Sequence, residues 1–149
     1  VTGVQTCALP ISAHPEILEA LESPTLKALF ICPSNPWLSV GPMLALPALK
    51  RSVLQCKAPR VVISPIIGGE AVKGPAAKLM RELNIEVSPS SIARHYAELA
   101  TAIVIDNVDA DLRRPMERLG LNVLVTDALM RDRQDRVRLA AEIVKWMGA

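Results

Sequence analysis

Two stretches concentrate the side chains able to hold an anion. In the first, FICPSNPWLSVGP, an apolar run ending at Cys32 stops at Pro33, and Ser34, Asn35 and Ser39 follow among three prolines and a glycine. Hydroxyl and amide groups in a loop stiffened by proline are pre-positioned donors. Such loops serve phosphorylated ligands where they follow the buried strands of parallel α/β sheets. In the second, SPIIGGEAVKGP, Gly68 and Gly69 let the backbone approach a ligand closely, and Lys73 adds a mobile positive charge just before Gly74 and Pro75. A helix opened by Pro75 would offer its free first amides to the same anion. Its dipole alone contributes only about 0.3–1 kcal/mol when exposed, so lysine and several amides are needed together. The G-x-x-x-x-G-K-[ST] order of a Walker loop is absent. A plain turn with a solvated lysine remains the alternative at this point.

The elements around these loops alternate regularly. His14–Leu21 reads as a short helix with Ile17, Leu18 and Leu21 inward, and Leu26–Cys32 as a strand buried on both faces. Pro42 opens a short helix to Leu46, and Pro47 sits at the first position of another running to Gln55. Arg60–Ser64 is the next strand, and a helix after Pro75 turns Ala76, Leu79, Met80 and Leu83 inward. Helix Ser90–Ala100, strand Thr101–Asp106, helix Asp111–Leu119 capped by Gly120, and strand Asn122–Thr126 come next. Asp132–Met147 closes the chain as a helix whose inward stripe is Val137, Ala140, Ala141 and Val144. This alternation predicts an α/β fold with a parallel sheet. Parallel strands would bring Pro33-Ser34-Asn35, Ser64-Pro65, Asp106-Asn107 and Thr126-Asp127 to one edge, as a single polar cleft.

Composition narrows the classes. The 149 residues suffice for one domain with a core, and half of them are hydrophobic. A formal charge of +2 and 3% aromatics give no footing for nucleic acid. No apolar run approaches the ~18 residues of a membrane span, so no membrane partner is expected. Three cysteines without paired spacing suggest neither disulfides nor a zinc site, and a reducing cytoplasm fits. Residues 1–12 (VTGVQTCALPIS) share no periodicity with the rest of the chain and resemble translated sequencing-adapter read-through, so Cys7 carries no functional weight.

Other reactive types have plainer explanations. His95, beside Arg94 and Tyr96, has no nucleophile or second histidine placed to work with it, and His14 starts a helix. Cys32 reads as a buried strand residue and Cys56 as a helix end. Trp37 either shelters a ligand or packs its own loop down, while Trp146 is packing. The run Arg131-Asp132-Arg133-Gln134-Asp135-Arg136 mixes signs and reads as a solvated helix start.

Taken in order, PSNPWLSVGPMLALP, SPIIGGEAVKGPAAKLM, ARHY, VIDNVDAD and VLVTDALM resemble the C-terminal half of the 2-phospho-L-lactate transferases of coenzyme F420 biosynthesis, from about His14 to Trp146. The resemblance implies a Rossmann-like three-layer fold, incomplete here, and a transferase that uses magnesium (Mg2+). Such an enzyme moves a 2-phospholactyl or phosphoenolpyruvyl group from a guanosine diphosphate carrier to the deazaflavin Fo and releases GMP. It also implies a homodimer when full length. Carried over, Ser34, Asn35, Pro36 and Ser39 would meet the phosphates or ribose of the donor, with Gly68, Gly69, Lys73 and Gly74 lining the same pocket. Asp106 and Asp127 are available carboxylates for the metal, with neither assigned. The family's glycine-rich first loop, which helps hold Fo, is not in this sequence, so the chain alone is expected to be inactive and poorly soluble. A non-catalytic nucleotide-sugar-binding regulator, similar to bacterial gluconeogenesis factors, stays open as the second reading.

Overall fold

A computed structural model describes residues 12–148; all but the last residue of the 1–12 segment lies outside them. The elements in chain order are α1 (Pro15–Glu22), β1 (Leu29–Ile31), a π-helical turn (Pro36–Val40), α2 (Gly41–Leu44), α3 (Pro47–Gln55), β2 (Arg60–Ile63), β3 (Ile66–Ile67) and β4 (Glu70–Ala71). They continue with α4 (Ala76–Glu82), α5 (Pro89–Tyr96), β5 (Ala102–Asp106), a 3-10 turn (Asn107–Leu112), α6 (Arg113–Glu117), β6 (Asn122–Thr126) and α7 (Arg133–Trp146).

The main sheet has four strands in the order β1-β2-β5-β6, all parallel. Strand order thus follows chain order, and right-handed crossovers that always step the same way stack their helices on one face. The core divides accordingly. Val62, Ile103, Ile105 and Val123 face Met80, Ile92, Ala93 and Met116 from α4, α5 and α6. The alternate residues Val61, Ile63, Ala102 and Val104 meet Leu139 and Ile143 of α7 on the other side. Ile103, Ile92, Met80 and Met116 are fully buried, each such side chain contributing roughly 1.5–3 kcal/mol. The α/β fold with a parallel sheet that the alternating pattern predicts is observed, in the layered Rossmann-like arrangement that the resemblance implies.

Four expectations are corrected; the first is Leu83, which lies just past the end of α4 and is 49% exposed instead of facing inward. β1 spans three residues rather than Leu26–Cys32, and it is an edge strand, so Phe30 is 39% exposed and Cys32 lies exposed beyond its end. In α7 the buried residues are Leu139 and Ile143, whereas Val137 and Val144 are exposed. That helix carries two apolar stripes, and the i, i+4 pair facing the sheet competes with a second stripe facing the β1 side. Within α1 only Leu21 is buried, with Ile17 half exposed.

The second polar stretch is not a simple loop. β3 and β4 pair antiparallel around Gly68-Gly69, with Ile66 opposite Ala71 and Ile67 opposite Glu70. Both glycines have positive φ, +56° and +79°, the requirement of a two-residue type I′ hairpin turn. Two-residue strands leave no periodic signature, which is why the sequence shows only the turn.

Candidate functional site

The carboxyl ends of the four parallel strands share one edge, as their direction requires, and a cleft of about 220 Å³ opens there. Pro33 follows β1, Ser64 and Pro65 follow β2, and Ala128, Met130 and Arg131 come from the loop after β6. Val72 and Lys73 reach it from the segment after β4, and Arg136 from the first turn and a half of α7. The charged side chains lining this cleft are thus all cationic.

Two aspartates hold the walls in place. Asp106, at the end of β5, is 6% exposed. Its Oδ1 accepts from the Val108 amide at 3.1 Å and its Oδ2 from the Ala128 amide at 2.9 Å. This carboxylate therefore ties the β6–α7 loop to the sheet. Asp109 is likewise buried and accepts from the Gly68 amide through Oδ2 at 3.0 Å, which fixes the hairpin turn. Burial pushes its carboxyl above the ordinary aspartate value, the Gly68 N–H bond pulls it down, and the nearby Asp106 charge pushes it up again. Ser64 also acts locally: its hydroxyl donates to the Ile66 carbonyl at 2.8 Å and accepts from the Ile66 amide at 3.1 Å.

The residues expected to bind a ligand divide into three groups. Lys73 lines the cleft, and Gly74 (φ +72°) follows it. Gly68 and Gly69 form the hairpin turn that carries the Lys73 segment and do not line the cleft itself. From the first loop only Pro33 does so. Ser34 and Ser39 line a separate, mostly apolar trough of about 330 Å³ with Ile17, Leu29 and Met43. Asn35 caps the π-helical turn, its Oδ1 accepting from the Trp37 and Leu38 amides at 3.0 Å each, and Pro36 is fully buried. The helix after Pro75 is only seven residues long and has no side-chain cap, so its dipole adds little to the cleft.

Trp37 packs against the body of the protein. Its ring lies 5.2 Å from that of His95, which in turn meets Tyr96 edge-on at 4.7 Å. Burial lowers the His95 pKa and raises that of the Tyr96 phenol to about 12. His95 thus belongs to an aromatic packing cluster rather than to a nucleophilic set.

The carboxylates that a magnesium ion would need are already engaged. Asp106 accepts two amides, and Asp127 pairs with Arg131 at 3.5 Å and Arg138 at 3.4 Å. No group of three or more His, Cys, Asp or Glu side chains among the described residues could hold a metal. Neither aspartate lines the cleft, so the described residues bring no carboxylate to it.

Sequence reasoning missed Asp109, Arg131 and Arg136. Asp109 acts across 41 positions on Gly68, a separation that local patterning does not reveal. The arginines stand in a mixed-sign run, and only the helical arrangement separates paired charges from unpaired ones.

Comparison with known proteins gives a consistent picture. A family model described as 2-phospho-L-lactate transferase CofD matches residues 3–143. The chain is 38% identical over 132 residues to the 2-phospho-L-lactate transferase of Methanocaldococcus jannaschii, covering 89% of this chain and 40% of that protein. It is 37% identical over 146 residues to the Methanopyrus kandleri 2-phospho-L-lactate transferase, covering 96% of this chain and 43% of that protein. It is 32% identical over 119 residues to a phosphoenolpyruvate transferase of Streptomyces griseus, covering 79% and 37%. The chain thus spans about 40% of the length of the curated relatives it matches. No helix among the described residues is long and apolar enough to cross a membrane.

Proposed function

This chain belongs to the 2-phospho-L-lactate transferase CofD family, and we propose that it forms the donor-nucleotide side of such a transferase. The whole enzyme moves a 2-phospholactyl or phosphoenolpyruvyl group from a guanosine diphosphate carrier to the deazaflavin Fo, gives an F420 precursor and releases GMP. The observation that carries this reading is the cleft at the carboxyl edge of the sheet, whose charged lining is exclusively cationic.

Lys73 acts on the diphosphate. Attack at a phosphoryl centre builds charge on its oxygens, and Lys73, paired with no carboxylate among the described residues, is free to swing onto that charge. The Gly68-Gly69 turn, held by Asp109, sets where Lys73 and Gly74 stand. Ser34 and Ser39 line the separate trough beyond Pro33 and are assigned no contact with the diphosphate, while Asn35 and Pro36 keep that loop rigid. Magnesium, as this family's cofactor, travels with the donor's own phosphates in this proposal, and no step is assigned to it here.

The acceptor side lies in the portion of the relatives that this chain does not span, so the chain alone does not catalyse transfer. The full-length protein works as a cytoplasmic homodimer. Titration of GDP and GMP into the purified chain tests the donor side: GDP binding tighter than GMP is expected, and equal or absent binding overturns the reading. Incubation with Fo, the guanylyl donor and magnesium tests the acceptor side, and formation of F420-0 by the chain alone overturns it.

A further inference from the structure

The mixed-sign run at the start of α7 looks self-neutralising in sequence, but helical spacing sorts its charges. Arg131 lies 3.5 Å from Asp127 and 3.4 Å from Asp135. Arg138 lies 3.4 Å from Asp127, 3.5 Å from Asp135 and 3.4 Å from Glu142. Asp127, Asp135 and Glu142 are thereby paired, and Asp132 caps α7 by accepting from the Asp135 amide through Oδ1. Arg136, between these two arginines, pairs with no carboxylate among the described residues, and neither does Lys73, which lines the same cleft.

Arg136 is also oriented. Its Nε donates to the Asp132 carbonyl at 3.1 Å, which fixes the guanidinium plane and leaves both Nη groups for a planar oxyanion. Its side chain stands where the cationic cleft meets an apolar trough of about 400 Å³ bounded by Phe30, Met130 and Val144. The trough's low-dielectric wall strengthens a charge interaction beside it.

We propose that Arg136 is a phosphate-binding residue that joins Lys73 in the cleft, so that the two cations grip successive phosphates of a nucleoside diphosphate. This rests on the donor-nucleotide reading above. Two cations without carboxylate partners, brought to one cleft by separate elements, match a ligand with two adjacent anionic groups better than one with a single charge. A guanidinium adds a bidentate contact that a lysine in its place would not.

The test is calorimetric titration of GDP, inorganic pyrophosphate and guanosine into the chain and its variants. Arg136→Gln is expected to weaken GDP and pyrophosphate binding about tenfold or more while leaving guanosine unaffected. Arg136→Lys should restore part of the loss. Arg133→Gln, which removes an exposed arginine of the same helix that lines no part of the cleft, should stay within about twofold of wild type. Thermal melts control for folding, since Arg136 is exposed and its hydrogen bond in the structure is to its own helix. Wild-type affinity in Arg136→Gln, with Lys73→Gln still weakening GDP, overturns the Arg136 role and leaves the donor reading standing. Equal losses in Arg133→Gln and Arg136→Gln overturn it as mere long-range charge. Failure of the wild-type chain to bind either GDP or pyrophosphate overturns both.

Discussion

Removing the Asp109 carboxylate should loosen the hairpin turn that carries Lys73. Asp109 Oδ2 accepts from the Gly68 amide at 3.0 Å, and Asp109 is 7% exposed. A hydrogen bond to a charged group contributes about 1.5–3 kcal/mol, but Asp109 offsets part of this through its own burial and the adjacent Asp106 charge. Asp109→Ala also orphans the Gly68 N–H, which is only partly buried, so water recovers some of the loss. We expect a net cost of about 1–2 kcal/mol for Asp109→Ala. Asp109→Asn keeps an acceptor and removes the buried charge, so it should lie within about 0.5 kcal/mol of wild type at neutral pH. The sign of the pH dependence comes from the raised pKa. The native state holds the Asp109 proton more tightly than the unfolded chain does, so that contribution is fully present below the ordinary aspartate value. It is lost as pH rises through the higher native value. The stability of wild type relative to Asp109→Asn should therefore be greatest in acid and shrink as pH rises. Urea unfolding at several pH values, with hydrogen exchange at the Gly68 amide, measures both effects. Unchanged Gly68 protection in Asp109→Ala, or Asn as damaging as Ala at neutral pH, would refute the reasoning.

Three further outcomes are open to measurement. Gly69→Ala should cost about 1–2 kcal/mol from positive φ alone, because its nearest neighbour, the Val87 carbonyl, would be an unstrained 3.7 Å from the new Cβ; Asn there should cost less, and a chemical melt showing no difference contradicts the turn assignment. Burial lowers the His95 pKa, so the unfolded chain takes up its proton first, and stability should fall as pH drops through the histidine range; His95→Gln should flatten that slope slightly, the residue being largely exposed, and a steeper slope in the variant would contradict it. Phe30→Ser should reduce self-association by light scattering at a cost of about 1–1.5 kcal/mol, since Phe30 sits 39% exposed on the edge strand; scattering unchanged from wild type would remove the edge as the cause.

What was legible in the sequence was mostly what local chemistry dictates. The helix Pro47–Gln55 has the expected bounds because proline fixes its start. The strand Asn122–Thr126 does as well, in its β-branched run between Gly120 and Asp127. The shared strand edge with Pro33, Ser64, Asp106 and Asp127 is a result of parallel alternation. What was hidden depended on partners distant in sequence. β1 has the composition of a central strand, yet its burial depends on whether anything pairs on its outer side. In α7, Ala140 and Val144 form an apolar stripe beside that of Leu139 and Ile143, and the sheet's position selects between the stripes. Within the site, Lys73 was visible because a lysine between a glycine turn and a helix start is a local signal. Arg136 was hidden because its significance is the absence of an acid partner, which only the folded helix decides.

The monotonic strand order has a consequence for how the chain comes together. Each main strand pairs with the one synthesised just before it, through a connection of a few dozen residues at most. A chain emerging at about 5–20 residues per second can therefore extend its sheet stepwise, one strand and one covering helix at a time, without reserving a central slot for a late arrival. Among the described elements, α7 follows all four main strands and covers the second face of the sheet. The cationic cleft is consequently completed only after β6 is in place, because Arg136 joins Lys73 in its lining only once α7 has docked.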